Sequence, residues 1–121
     1  MAYLNARTDT HTKSDPVIPL KGSLQYYDSV TAVIPDVHDH YRLFESPGLG
    51  HCLGGPGAQP ATAFDALRAW VENGTAPDTL PVTFADKNGT MNSRFLCPYP
   101  QKVRYNGQGD TADETSYSCK V

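Results

Sequence analysis

The chain has 121 residues, a formal net charge of −3, 39% hydrophobic residues and 19% charged residues, which is typical of one globular domain. Nucleic-acid binding needs clustered Lys and Arg, which this sequence lacks, and no apolar run approaches the roughly 18 residues of a membrane-spanning helix. We therefore expect neither nucleic acid nor membrane as a partner. Nothing in the sequence indicates an oligomeric state.

The first part of the chain, residues 1–13, has neither the apolar core nor the small-residue cleavage site of a signal peptide. Two triplets nevertheless match glycosylation sequons, and they begin at Asn73 and Asn88. The chain also has three cysteines, an odd number that would leave one for a partner outside the chain in a secreted protein. Extracellular features without a leader lead us to expect a truncated product.

The first regular element predicted along the chain is an amphipathic helix. Residues 1–15 are polar and show no strong period, so no element is predicted there. Apolar residues then recur at three- and four-residue steps, at Leu20, Leu24, Tyr27, Val30 and Val33. A proline stands near the start of this helix, at position 19, and another ends it, at position 35.

A short strand is predicted over residues 41–44, and a loop rich in glycine follows it up to residue 60. A second helix is expected to begin after Thr62, with Asp65 as the acid of a capping box, and to end at the C-cap glycine Gly74. Its apolar stripe is predicted to contain the following residues: Phe64, Leu67, Val71 and, at its margin, Trp70.

Alternating residues predict a further strand over residues 80–85, and the tail from residue 98 is rich in turn formers. Helices that alternate with strands favour an α/β fold class. Two or three strands cannot cover both faces of two such helices, so we expect only part of a large α/β sheet. No internal repeat and no domain linker is visible.

The chemistry centres on a histidine in the glycine-rich loop. His51 lies on the loop that follows the predicted strand, and the small residues around it leave room for an approaching substrate. Asp15 is the acid candidate, 51 − 15 = 36 residues earlier, before the first helix. In α/β hydrolases the triad follows the chain order Ser, acid, His. A lone loop histidine is usually a surface residue and an Asp before Pro is usually a turn residue, so this spacing by itself decides little.

Longer segments around these two residues form a recognisable pattern, namely residues 14–19, 26–27, 30, 41–44, 47–57, 63–67, 70–74, 76–77, 94–100, 105–110 and 119. Together these segments resemble the tannase/feruloyl esterase family of carboxylic ester hydrolases. The resemblance implies that residues 1–121 are the C-terminal part of one α/β-hydrolase catalytic domain, with the late strands and helices only. Residues 1–10 would be a stretch foreign to the family.

The resemblance implies hydrolysis of esters of aromatic acids such as ferulate or gallate, from plant cell walls or tannins. His51 would be the general base and Asp15 the acid that orients it. Cys52 would pair with a cysteine absent from this chain, the alternative being an unpaired core cysteine, and Cys97 would pair with Cys119. The intact family member would be secreted. The resemblance implies a calcium site in the absent lid, and no cofactor or metal is expected in this chain.

The chain also departs from the family pattern. It has neither Gly-x-Ser-x-Gly nor Cys-Ser, so it lacks the nucleophile, and it reads His11-Thr12-Lys13-Ser14-Asp15 where the family has glycine and an apolar residue after the histidine. The chain alone is therefore predicted to be inactive. The alternative function is a non-catalytic truncated product or a small disulfide-bridged binding module.

The remaining aromatic and histidine residues are interpreted as structural. His38 and His40 could contribute to a metal site, but a solvated turn before the strand is the simpler interpretation. Trp70, Tyr26 and Tyr27 are expected to pack in the core.

Overall fold

The structure is a computed structural model that describes residues 3–7, 19–51, 54–55 and 57–121. Its described residues form a mixed α/β arrangement of six strands and two α-helices. In chain order these are β1 (Tyr3–Arg7), α1 (Leu20–Val33), β2 (Tyr41–Glu45), α2 (Ala63–Asn73), β3 (Leu80–Ala85), β4 (Met91–Leu96), β5 (Lys102–Tyr105) and β6 (Tyr117–Lys120). Short 3-10 helices at Val37–Asp39 and Glu114–Ser116 precede β2 and β6.

The strands β1 and β2 are parallel, and their register runs from Tyr3 opposite Tyr41 to Arg7 opposite Glu45. Parallel neighbours need a long crossover connection, which α1 supplies. The prediction that residues 1–15 hold no regular element is wrong for β1. A five-residue strand can be fixed by the hydrogen bonds of its partner strand, which leave no period in its own sequence.

The second edge of β2 is also occupied. The Tyr99 amide donates to the Leu43 carbonyl at 2.7 Å, and Phe44 forms an isolated antiparallel bridge with Pro98. The segment after β4 therefore lies along β2 on the side away from β1. This places β2 in the interior of the fold, so the loop that follows β2 starts from an element held on both edges.

Two hydrophobic clusters lie on opposite faces of β2, because successive side chains of a strand point to opposite faces. Leu43 packs on the α1 side with Tyr27 and Val37. Phe44 packs on the other side with a cluster contributed by the later strands: Leu80, Val82 and Leu96. Burial of both faces is what makes β2 a rigid support.

The helix α1 begins after Pro19 and ends before Pro35, as the sequence predicts. Tyr27 is fully buried, and Leu24 and Val30 pack against its cluster. Val33 is exposed, which corrects the predicted stripe, because six residues turn the helix by about 600°, equivalent to 240°, away from Tyr27. Tyr26 is exposed as well, so the packing predicted for it is wrong.

The helix α2 begins after Thr62 and ends at Gly74, as predicted. Gly74 adopts a left-handed conformation with φ 70°, and its amide donates to the Trp70 carbonyl at 3.0 Å. The predicted capping box is absent, because Thr62 has φ −94° and ψ 7° instead of the extended conformation that lets a side chain cap a helix. Asp65 lies 3.6 Å from Arg68 instead.

The packing face of α2 also differs from the predicted stripe. Phe64 is 74% exposed and Val71 is 65% exposed, whereas Trp70 is buried. Ala63 and Ala66 pack against the Phe44 cluster. Small side chains let the helix approach the strands closely, and this contact turns the larger residues outward.

The remaining strands form two antiparallel hairpins. In the first hairpin β3 pairs with β4, and the turn between them is closed by the Asp86 carboxylate, which accepts from the amides of Asn88 and Thr90 at 2.8 and 2.9 Å. The prediction of β3 is confirmed, whereas β4 was not predicted. The sequon at Asn88 lies within this exposed turn.

In the second hairpin β5 pairs with β6, where the sequence predicts only turns. The predicted disulfide between Cys97 and Cys119 is present, with an S–S distance of 2.02 Å, and it joins the end of β4 to β6. Arg94 in β4 donates to the carbonyls of Thr111 and Ala112, and its guanidinium lies 4.3 Å from the centre of the Tyr117 ring. The C-terminal hairpin is thus attached to the body of the fold at two points.

Candidate active site

The candidate site lies where the parallel strands end. His51 is 51 − 45 = 6 residues beyond Glu45, the last residue of β2, and Asp15 is 15 − 7 = 8 residues beyond Arg7, the last residue of β1. Because Arg7 and Glu45 are register partners, the segments carrying the two candidates leave the same edge of the parallel pair. Asp15 itself lies outside the described residues, so its predicted contact with His51 stays a prediction. Cys52 also lies outside the described residues, so its predicted disulfide stays a prediction.

Among the described residues of the loop that carries His51, three hydrogen bonds in series join its two sides. The Ser46 hydroxyl donates to the Ala58 carbonyl at 2.6 Å, and the Gly57 amide donates to the Gly48 carbonyl at 2.9 Å. The Gly50 amide donates to the Gly54 carbonyl at 2.6 Å, and His51 lies within this innermost turn. His51 is exposed, so the loop presents an imidazole at the surface from a closed frame.

Two glycines of this loop are required by packing of the loop against itself. A Cβ on Gly57 would lie 2.2 Å from the Leu49 nitrogen and 2.3 Å from the Pro47 oxygen. A Cβ on Gly55 would lie 2.3 Å from the Gly48 oxygen, and Gly55 also has φ 83°. The sequence suggests that these glycines make room for a substrate, whereas in the structure they let the two sides of the loop touch backbone to backbone.

Ser46 is not singled out by any pattern in the sequence, yet it is buried with 1% of its surface exposed. Its only signal in the sequence is its position between the end of a strand and a Pro-Gly pair. A serine at such a place is usually an exposed turn residue, and only the structure shows the carbonyl that its hydroxyl meets.

The histidines at 38 and 40 lie at the other end of β2, away from His51. His38 is half-buried in a 3-10 helix, and its Nδ1 lies 2.9 Å from the Tyr27 hydroxyl. That hydroxyl donates its proton to the Tyr41 carbonyl at 3.0 Å, so the His38 Nδ1–H must be the donor to Tyr27. The predicted solvated turn is therefore wrong for His38, which is a packed structural residue. Among the described residues no group of three or more His, Cys, Asp or Glu could hold a metal ion.

A cleft of about 500 Å³ lies beside the base of the His51 loop. It is bordered by Pro47 and Ala58 from the loop and by Val82, Phe84 and Val103 from the hairpins. His51 does not line it.

In α/β hydrolases the acid and the histidine are the last two members of the triad along the chain, and a histidine loop after the second strand of a βαβ unit fits that order. The class of protein indicated by the fold and the site is thus a hydrolase of this kind. Residues 9–120 match the family described as "Tannase and feruloyl esterase". The chain belongs to this family of ester hydrolases.

Similar proteins support the assignment. The chain is 39% identical over 116 residues to a protein named probable feruloyl esterase from Arthroderma benhamiae, covering 90% of this chain and 21% of that protein. It is 38% identical over 112 residues to mono(2-hydroxyethyl) terephthalate hydrolase from Piscinibacter sakaiensis, covering 90% of this chain and 19% of that protein. The crystal structure of feruloyl esterase B from Aspergillus oryzae matches with a TM-score of 0.77 and 25% identity, covering 98% of this chain and 26% of that one.

The chain thus spans about a fifth of the length of these curated relatives. Within the described residues, neither helix has the length and apolar character needed to cross a bilayer.

Proposed function

We propose that this chain supplies the acid and the base of a serine esterase that hydrolyses esters of phenolic acids such as ferulate and gallate. The observation that carries the proposal is the closed loop that holds His51 at the strand edge from which the segment of Asp15 also departs. Family membership adds the reaction class. The chain would be the C-terminal part of a catalytic domain, and the serine would come from outside residues 1–121.

In this mechanism Asp15 accepts a hydrogen bond from one imidazole nitrogen of His51 and fixes the tautomer. The other nitrogen takes the proton of the serine hydroxyl as its oxygen attacks the ester carbonyl, and it then gives that proton to the departing alcohol. Water repeats the sequence on the acyl-enzyme. His51 takes a proton from the water and returns it to the serine as the free acid leaves.

Cys52 would contribute by position. It is adjacent to His51, so a disulfide from Cys52 to a cysteine beside the serine would join the loops of base and nucleophile directly. Such a tie matters because a displacement of about 1 Å can lower a rate by roughly 100-fold.

An oxidising, extracellular location fits the Cys97–Cys119 disulfide. Secretion and glycosylation at Asn73 and Asn88, both exposed, belong to the same proposal. Endoglycosidase treatment is expected to shift the gel mobility of the secreted protein, and the Asn73→Gln and Asn88→Gln substitutions are expected to abolish that shift.

The test of the esterase proposal is a chimera. Residues 15–121 replace the corresponding segment of feruloyl esterase B from Aspergillus oryzae, and hydrolysis of methyl ferulate and methyl gallate is measured. His51→Ala is expected to lower kcat/KM by at least about 10³-fold, and Asp15→Asn by roughly 10² to 10⁴-fold. His40→Ala is the matched control, since His40 is half-buried at the far end of β2, and it should change the rate less than about threefold.

Equal losses in the His40 and His51 variants would contradict the assignment of His51 as the base. The 121-residue chain alone is expected to show no hydrolysis, because nucleophilic catalysis requires the serine. Hydrolysis by the chain alone that disappears with His51→Ala would reveal a nucleophile within it. A folded chimera without any activity would favour the alternative, a non-catalytic product or binding module.

A further inference from the structure

We propose that Ser46 is a positioning residue for His51, and that its hydroxyl, together with Gly57, fixes the loop in which the imidazole is presented. The inference deepens the proposed function and rests on it for the meaning of His51. The bond from Ser46 to Ala58 is the outermost of the three that close the loop, so it sets the geometry of the two inner ones.

Both ends of this bond are anchored in the protein interior. Ser46 is 1% exposed and directly follows β2, while Ala58 packs against the cluster that contains Phe44 and Leu80. A buried polar group without a hydrogen-bond partner is unfavourable. The 2.6 Å bond therefore satisfies both the Ser46 hydroxyl and the Ala58 carbonyl. The base of the His51 loop is thereby held to the core by this hydrogen bond as well as by the covalent backbone.

The inner part of the loop depends on this base. At Gly57 the two sides of the loop are so close that a Cβ would overlap the Leu49 nitrogen and the Pro47 oxygen. The atoms that this Cβ would meet are backbone atoms, which cannot move aside as the end of a flexible side chain can. If the base opened, the Gly57 to Gly48 bond would be lost next, and the turn around His51 would lose its fixed orientation.

The loop can be tested in the isotope-labelled 121-residue chain by NMR. In Ser46→Ala, amide exchange at Gly57 is expected to rise at least about tenfold relative to the amides of the β3–β4 hairpin. The His51 ring resonances should shift or broaden. Ser46→Thr keeps the hydroxyl and should bring Gly57 exchange back to within about threefold of the original chain.

Ser116→Ala is the matched control, because Ser116 is also a buried serine, 6% exposed, but lies before β6. It should leave Gly57 exchange and the His51 ring signals unchanged. Gly57→Ala provides a second perturbation that does not touch the hydroxyl, and it should displace the His51 signals. Its control is Gly22→Ala, where a Cβ meets nothing within 4 Å.

Unchanged Gly57 exchange and unchanged His51 signals in Ser46→Ala would overturn the inference, as would an equal response to Ser116→Ala. In the chimera Ser46→Ala should lower kcat by roughly tenfold to 100-fold while KM stays nearly constant. The two proposals fail separately. If Ser46→Ala loosens the loop but His51→Ala leaves hydrolysis intact, the base assignment falls and the bracing of the loop stands.

Discussion

At the scale of single residues, the buried Tyr27 hydroxyl both donates and accepts a hydrogen bond. It donates to the Tyr41 carbonyl and accepts from His38, while the Tyr27 ring meets those of Tyr41 and Tyr99 edge to face. Burial, followed by the nearby Tyr41, raises the pKa of Tyr27 from 10.0 to about 12. The neutral phenol is therefore the form that the folded state prefers.

The raised pKa of Tyr27 makes the free energy of unfolding depend on pH in a definite direction. Since the folded-state pKa lies above the unfolded one, the stabilisation is complete below pH 10 and is lost as the pH rises from 10 to about 12. A pKa difference of this size corresponds to roughly 2 to 3 kcal/mol in the free energy of unfolding. We expect Tyr27→Phe to reduce this alkaline loss, and to cost about 1 to 2 kcal/mol at neutral pH through the two lost hydrogen bonds.

Urea unfolding at several pH values between neutral and alkaline checks this expectation. Tyr26→Phe is the matched control, because Tyr26 is its exposed neighbour, and its variant should keep the alkaline loss. Some loss should remain in Tyr27→Phe, since burial and the bond to Asp28 also raise the pKa of Tyr99. An alkaline loss of unchanged size in Tyr27→Phe would contradict the assignment.

The sequence was informative for the site only where chemistry leaves a local pattern. The segment around His51 carries the family resemblance, and the structure places that residue on a loop after a strand. Ser46 could not be found, because its role depends on Ala58, which comes near only when the loop closes. The roles of His51, Asp15 and Cys52 all stay predictions, and Asp15 and Cys52 also lie outside the described residues.

At the scale of elements, strong periods and punctuating residues predicted α1, α2, β2 and β3. The strands β1, β4, β5 and β6 were missed, because pairing with another segment defines them more than their own alternation does. Burial along β5, for example, leaves Lys102, Arg104 and Tyr105 exposed and only Val103 half-buried. The partner of Val103 is Cys119, 119 − 103 = 16 residues further along the chain, so the short segment of β5 does not itself show the pairing.

The face of α2 yields a prediction about stability. Trp70 is buried and lies 5.5 Å from the Arg42 guanidinium, so Trp70→Ala should cost about 3 to 5 kcal/mol in the free energy of unfolding. Phe64→Ala should cost less than about 0.5 kcal/mol, since Phe64 is 74% exposed. Thermal unfolding of both variants compares them directly. A larger cost for Phe64→Ala would mean that the predicted stripe, and not the alanine face, packs against the strands.

At the scale of the whole molecule, the described residues form three separate two-stranded sheets. An isolated two-stranded sheet is marginally stable in water. The fold therefore depends on connections between the sheets. The Pro98–Tyr99 segment joins β4 to β2, Arg94 holds the loop before β6, and the disulfide joins the end of β4 to β6.

The disulfide between Cys97 and Cys119 is the connection whose removal can be measured most directly. It closes a loop with a sequence separation of 22, for which chain entropy alone gives about 3 kcal/mol. The double variant Cys97→Ala/Cys119→Ala should therefore lose about 3 kcal/mol in urea unfolding. Cys52→Ala is the control for loss of a cysteine side chain, because Cys52 forms no part of this bond, and the double variant should lose clearly more stability than this control. Hydrogen exchange should rise first in β5 and β6, since these strands have few other contacts with the body. Uniformly faster exchange in α1 and β2 would show instead that the hairpin and the parallel pair unfold as one cooperative unit.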